Sequence, residues 1–259
     1  MTQRLVYGIH PVRQLLLSRA GTVERVYLQA DLGEERRARL GDVLSDAIRV
    51  ERVTAAELLK LTGTAKHQGV AAIAIETGPL SEGAARELVA RIERPLLLVL
   101  DGVQDPRNFG ACLRTADAAG VDLVVVARHR NVDVTPVVSK VAAGAAESQP
   151  IVQVANLVRF LESIKSQSLW IVGTDDAAPA SLYDVDLTTG IALVLGAEGE
   201  GLRHLTLEHC DLKVRLPMHG TVSSLNVSVA TGICLYECLR QRSALAGAPA
   251  RLPRTRPVR

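Results

Sequence analysis

Three short stretches hold most of the side chains able to do chemistry. Asp105-Pro-Arg-Asn108-Phe-Gly-Ala-Cys-Leu-Arg114-Thr-Ala offers an amide and a guanidinium six positions apart. Leu193-Val-Leu-Gly196-Ala-Glu198-Gly199-Glu200-Gly201-Leu-Arg sets two carboxylates inside a glycine-rich loop. Leu216-Pro-Met-His-Gly-Thr-Val-Ser223-Ser224-Leu225-Asn226-Val supplies hydroxyls and a second amide. Amides and a guanidinium aimed at one oxygen stabilise negative charge developing there. Glu198 and Glu200 favour a cationic or hydroxyl-bearing ligand. The spacing of Gly196 and Gly201 fits the first half of a P-loop, but Leu202-Arg203 stand where Lys-Ser/Thr belong, and the glutamates repel phosphate. No strand leads into Gly-x-Gly-x-x-Gly, which argues against a nicotinamide dinucleotide. Taken singly, each stretch also has a plainer reading as a helix cap, a tight turn or a solvated charge.

The elements that must position these groups follow from periodicity. Phe109, Cys112, Leu113 and Ala116 recur as the buried stripe of a helix, with Asn108 expected as its N-cap. At 100° per residue Arg114 lies about 140° from the middle of that stripe, facing solvent or a cleft. Nearly continuous apolar runs over 96–100, 121–126, 169–172, 191–195 and 212–216 alternate with helical stretches. Strands apolar on both faces imply a mostly parallel sheet covered on both sides, an α/β architecture. After Asn226 or Ser224 as cap, a long helix carries two apolar stripes, Val227, Ala230, Cys234, Cys238 and Val229, Ile233, Tyr236. Such a helix is buried or lies at a subunit interface. Upstream, helices are expected over 10–18, 34–47 and 54–61 and strands over 23–28, 48–53 and 70–75.

Composition bounds the rest. The chain has 259 residues, enough for one to two domains. Segments are expected at 1–76, at 77–94 as a linker with a short helix, at 95–243, and at 244–259 as a disordered Arg/Pro tail. The 30 basic residues exceed the 28 acidic ones only through four arginines in that tail, so residues 1–243 carry 26 against 28. Any nucleic acid must therefore be met by local patches; Arg107, Arg128, His129, Arg130 and Lys140 are candidates. Aromatic residues at 3% argue against modules that stack several bases. No apolar run approaches the roughly 18 residues of a membrane helix, and the amino terminus lacks a signal-peptide layout. The cysteines, 112, 210, 234 and 238, form no Cys-x-x-Cys pair and are expected as reduced core residues in a cytoplasmic protein.

In this order on one chain, Asn108-Phe-Gly-Ala-x-x-Arg114-Thr-Ala, Leu195-Gly196-x-Glu198-Gly199-x-Gly201-Leu and Leu216-Pro-Met-x-Gly-x-x-x-Ser224-Leu-Asn226-Val-Ser-Val-Ala resemble the three motifs of the SpoU (TrmH-type) RNA ribose methyltransferases, a branch of the SPOUT class. Tyr7-Gly-Ile-His-Pro-Val and His67-Gln-Gly-Val resemble that family's amino-terminal substrate-binding domain of ribosomal-protein type, and the likeness spans about residues 4–243. It implies a trefoil-knotted α/β catalytic domain behind a small α/β RNA-binding domain, dependent on S-adenosyl-L-methionine (AdoMet) and working as a homodimer, with no metal, membrane or DNA. By the same resemblance the backbone around Gly196, Leu216, Met218 and Leu225 binds the cofactor. Asn108, Arg114, Glu198, Ser224 and Asn226 form the catalytic cluster. The bacterial 23S rRNA (guanosine-2'-O)-methyltransferase branch is the nearest in pattern, which implies a guanosine in the peptidyl-transferase P-loop as target. Another rRNA or tRNA nucleotide, or a non-catalytic RNA-binding assembly factor, are the alternatives.

Overall fold

The computed structural model describes residues 3–44, 47–75, 78–129, 132–165, 168–197 and 201–245. Its first sheet comprises β1 (Gln3–Tyr7), β2 (Val23–Gln29), β3 (Val50–Val53) and β4 (Val70–Ile75) in the order β1-β4-β2-β3. Helices α1 (Ile9–Arg19), α2 (Glu34–Gly41) and α3 (Ala55–Thr62) connect them. Strand β4 runs antiparallel to β1 and β2, and β2 is parallel to β3. Ile9, Val12, Leu15 and Leu16 of α1 pack on Val6, Val26, Val70 and Ala72. The two segments singled out in this half meet. Gly8, at φ 100°, donates its N–H to Val70 O at 3.0 Å, and Gln68 Oε1 accepts from Ile9 N at 2.9 Å. Gln68 thus caps α1, which has no side-chain cap of its own. Helix α2, expected to reach 47, stops at Gly41, a residue that weakens helices because its backbone loses more freedom on folding.

Helix α4 (Glu82–Ala90) leads into the larger sheet. Its elements are β5 (Leu96–Asp101), α5 (Pro106–Ala118), β6 (Leu123–Ala127), α6 (Pro136–Val141), α7 (Ala145–Ser148), β7 (Ile151–Val154), α8 (Leu157–Ile164), β8 (Leu169–Thr174), β9 (Ala180–Ser181), β10 (Gly190–Gly196), α9 (His204–Glu208), β11 (Leu212–Arg215) and α10 (Val227–Leu245). The strand order is β7-β6-β5-β10-β8-β11-β9, and every pairing is parallel. Alternate residues of each central strand feed two cores. Leu96, Leu98 and Leu100 face α5, α7 and α10, whereas Leu97 and Val99 face α4 and α8. This double burial is why those strands read as unbroken apolar runs. The short strands β1, β7 and β9 carry no such run and escape a reading by hydrophobic pattern.

Two devices hold the site-bearing helices. Gly110 lets α5 approach α6 so closely that a Cβ there would lie 2.9 Å from Val138 O. Arg242, near the end of α10, donates to the carbonyls of Pro95 (3.1 Å), Thr189 (2.5 Å) and Arg94 (3.2 Å), tying that helix to the starts of β5 and β10. All four cysteines are buried. Burial raises their thiol pKa values, Cys234 and Cys210 to about 12 and Cys112 and Cys238 to about 11, as inert core residues require.

Candidate active site

The carboxyl ends of parallel strands, where backbone leaves the sheet, are where α/β proteins bind ligands. Here the ends of β8, β10 and β11 surround a cavity of about 340 Å³. Thr174, Asp175 and Asp176 follow β8, Gly196, Ala197, Gly201 and Leu202 follow β10, and Leu216 and Met218 follow β11. Ser224, Leu225, Val227 and Ala230 close it from the start of α10. All four residues expected to bind the cofactor, Gly196, Leu216, Met218 and Leu225, line this one space, together with Ser224 of the expected catalytic set.

Gly196 is where the backbone comes closest to itself. A Cβ there would lie 2.0 Å from Gly201 C and 2.3 Å from Leu202 N. Gly201 N donates to Ala197 O at 3.0 Å, so the two legs of the loop are stitched together at the cavity wall. Glu198, the remaining expected catalytic residue of this loop, lies outside the described residues, as does Glu200.

Asn108 is not the cap of α5. Asp105 takes that role, its Oδ1 accepting from the N–H groups of Arg107 and Asn108 at 2.8 Å each, with Pro106 at the first helical position. An Asp-Pro pair satisfies a helix start better than an asparagine three residues later. The Asn108 side chain is thereby released for another partner, and Asn226 Nδ2 donates to its Oδ1 at 3.0 Å. Asn226 is the cap of α10, its Oδ1 accepting from Ser228 N at 3.0 Å and from Ser228 Oγ at 2.6 Å. Neither amide is among the lining residues, but Asn226 lies in sequence between Leu225 and Val227, which both line the cavity.

Arg114 stands apart. It is exposed on α5, as its helical phase requires, and does not line the cavity. Among the described residues it enters no ion pair. Of the candidate RNA contacts, Arg107, Arg128 and His129 are exposed, Arg130 lies outside the described residues, and Lys140 is engaged 5.6 Å above the Tyr7 ring.

Sequence reasoning missed Asp175 and Asp176, the only charged groups among the described lining residues. Polar residues directly after an apolar strand in a parallel sheet were the available signal. Arg215 holds their loop by donating to Ala178 O at 2.5 Å, and Asp175 N donates to Val214 O at 2.9 Å. The cavity is thus apolar on Leu195, Leu216 and Leu225, negative on one side, and free of cationic side chains among the described lining. That lining fits AdoMet, which combines a flat purine with a positively charged sulfonium.

Fold and site together define an α/β protein whose cavity suits a cationic, nucleoside-like ligand. Residues 95–236 match the SpoU rRNA Methylase family, and residues 5–77 match the RNA 2'-O ribose methyltransferase substrate-binding family. The chain belongs to the SpoU rRNA methylase family, and it is an rRNA methyltransferase. It is 48% identical over 244 residues to the 23S rRNA (guanosine-2'-O-)-methyltransferase RlmB of Pseudomonas syringae pv. tomato, covering 92% of this chain and 96% of that one. To RlmB of Escherichia coli K12 it is 44% identical over 240 residues, covering 92% and 99%. Among solved structures, the SpoU methyltransferase AviRb from Streptomyces viridochromogenes in complex with AdoMet matches with TM-score 0.76 and 25% identity over 95% of this chain and 92% of that one. A crystal structure of an RNA 2'-O ribose methyltransferase matches with TM-score 0.73 and 30% identity over 93% and 89%.

Proposed function

We propose that the protein methylates the ribose 2'-hydroxyl of a guanosine in 23S rRNA, in the peptidyl-transferase P-loop. The observation that carries this reading is the Asn108–Asn226 hydrogen bond, which ties the first motif to the third, whose Leu216, Met218, Ser224 and Leu225 line the cavity with Gly196 and Gly201 of the second. The likeness to RlmB enzymes supports the nucleotide and the RNA.

AdoMet, when bound, supplies an electrophilic methyl group on a positively charged sulfur. The chain holds it through the backbone around Gly196 and Gly201 and the side chains of Leu216, Met218 and Leu225, while Asp175 and Asp176 offset its charge. As the 2'-hydroxyl passes its proton to solvent water, the oxygen gains negative charge, and preorganised donors stabilise it. Asn226 Nδ2 donates to Asn108 Oδ1 and so fixes the orientation of the Asn108 amide, and Ser224 adds a hydroxyl. Arg114 acts electrostatically, orienting phosphate and ribose from outside the cavity. Glu198 completes the cluster by family resemblance.

Residues 1–76 form the RNA-binding domain and 95–243 the catalytic domain in this reading, with the exposed arginines giving patchwise phosphate contacts. Two further features go with it: a trefoil knot in the larger domain and a homodimer. The outer face of α10 supports the second, since Val229 and Tyr236 are each 51% exposed on a helix whose other face buries Val227, Cys234, Leu235 and Cys238. No described helix is long and apolar enough to cross a membrane, consistent with work on ribosomal RNA in the cytoplasm.

The test is mapping of 2'-O-methyl groups on 23S rRNA incubated with purified protein and AdoMet. A single new methyl on a P-loop guanosine is expected. A methyl at another rRNA or a tRNA position would replace the target, and no methyl with any RNA or pre-ribosomal particle would leave the assembly-factor reading.

A further inference from the structure

At the end of β5 lies a carboxylate that the chemistry above does not use. Asp101 is 2% exposed and pairs in register with Gly196 on β10. Arg203 Nε donates to its Oδ2 at 3.0 Å, and Arg203 Nη2 lies 2.5 Å from its Oδ1 as an ion pair that falls outside hydrogen-bond geometry. Thr206, itself 1% exposed, donates its Oγ1 to Oδ2 at 2.8 Å. A buried carboxylate is tolerated only when paired and hydrogen-bonded, so water does not readily replace these partners.

What this cluster holds is the cofactor loop. Arg203 directly follows Leu202, which lines the cavity, and Gly201 is stitched to Ala197 across the loop. The outgoing leg rests on the same strand end: a Cβ on Gly102, whose φ is 93°, would meet Ala197 Cβ at 3.5 Å. Both legs of the loop are therefore referred to the carboxyl end of β5, one through Gly102 and one through Asp101.

We propose that Asp101 is a positioning residue for the cofactor: by holding Arg203 and Thr206 it sets the backbone at 201–202 against 196–197, and with it the affinity for AdoMet. The inference rests on the reading of this cavity as the AdoMet site. A carboxylate that merely stapled α9 to β5 would affect thermal stability and the active fraction. It would leave the affinity of the folded protein unchanged.

The experiment uses the full chain with Asp101→Asn, Arg203→Ala and Arg203→Lys, measuring AdoMet Kd by calorimetry, KM for AdoMet and for RNA, kcat at saturating AdoMet, and Tm. Arg203→Ala is expected to raise Kd and KM for AdoMet at least about 10-fold, about 1.4 kcal/mol. Arg203→Lys, which keeps the charge but loses the planar fork, falls between it and wild type. KM for RNA and kcat at saturation stay within about twofold, as for substitutions outside the reacting atoms. Should Asp101→Asn not fold, the Arg203 pair decides, since that side chain is 42% exposed and reaches the cluster from the surface. A folded Arg203→Ala with AdoMet Kd within about twofold of wild type overturns the proposal. Failure of the wild type to bind AdoMet overturns the cofactor reading itself, a separate outcome.

Discussion

Single atoms decide what the cavity tolerates. Gly196 has no room for a methyl group, because a Cβ would overlap the Gly201 carbonyl carbon at 2.0 Å and neither leg of the loop is a flexible side chain. Gly196→Ala is expected to abolish AdoMet binding in calorimetry while the N-terminal sheet, which does not touch the loop, keeps its fold. Binding at wild-type affinity would refute the close approach. Arg114 poses a different question, one of charge at a distance. With no ion pair among the described residues and a place outside the cavity, it is available to the RNA. Arg114→Ala is expected to lower kcat by roughly 10²–10³, the loss seen when one donor to a developing oxyanion is removed, with AdoMet Kd unchanged. Turnover at the wild-type rate would take Arg114 out of the mechanism.

At the scale of elements, the first turn of α5 governs the Asn108–Asn226 pair proposed as catalytic. Asp105 satisfies two N–H groups there, one of them that of Asn108 itself. Asp105→Ala is expected to cost about 0.5–2 kcal/mol, read from urea unfolding. The same change loosens Asn108 and so lowers kcat, whereas a cap with no bearing on the site would lower stability alone. The helical stripe and the exposure of Arg114 were legible from residue spacing. The identity of the cap was not, because Asp105 and Asn108 are both good capping residues and only the path of the chain before Pro106 chooses between them.

For the whole molecule, the junction between the two sheets matters most. Glu147 of α7 has a fully buried side chain and pairs with Arg4 of β1, and Ser18 of α1 donates to its backbone oxygen at 3.1 Å. Gly144 permits this contact, for a Cβ there would lie 2.7 Å from Gln14 Cβ. Exposed pairs such as Arg39–Glu35 and Arg91–Glu87 contribute at most about 1 kcal/mol, so they do not set the junction's strength. Burial pushes the Glu147 carboxyl above the usual glutamate range, against the opposing pull of Arg4 and Arg19. Its folded-state pKa thus exceeds the unfolded value. Its contribution is fully present below the unfolded pKa, about 4.5, and is lost as pH rises through the folded one. Glu147→Gln is therefore expected to cost less at pH 7 than the about 3–5 kcal/mol typical of a broken buried pair. The advantage of wild type over the variant should widen between pH 7 and pH 5 in urea melts; a narrowing would contradict the raised pKa.

The amino-acid sequence by itself determined the parallel sheet, the two-sided cores, helix α5 with its exposed arginine, and the family. These depend on local periodicity and on motif spacing, which one-dimensional order preserves. Only the tertiary structure decided that Asn226 hydrogen-bonds Asn108, that Asp175 and Asp176 give the cavity its charge, and that Asp101 grips Arg203 across a separation of 102 residues. Those contacts arise from strand order, since placing β10 between β5 and β8 juxtaposes strand ends that the chain itself keeps far apart.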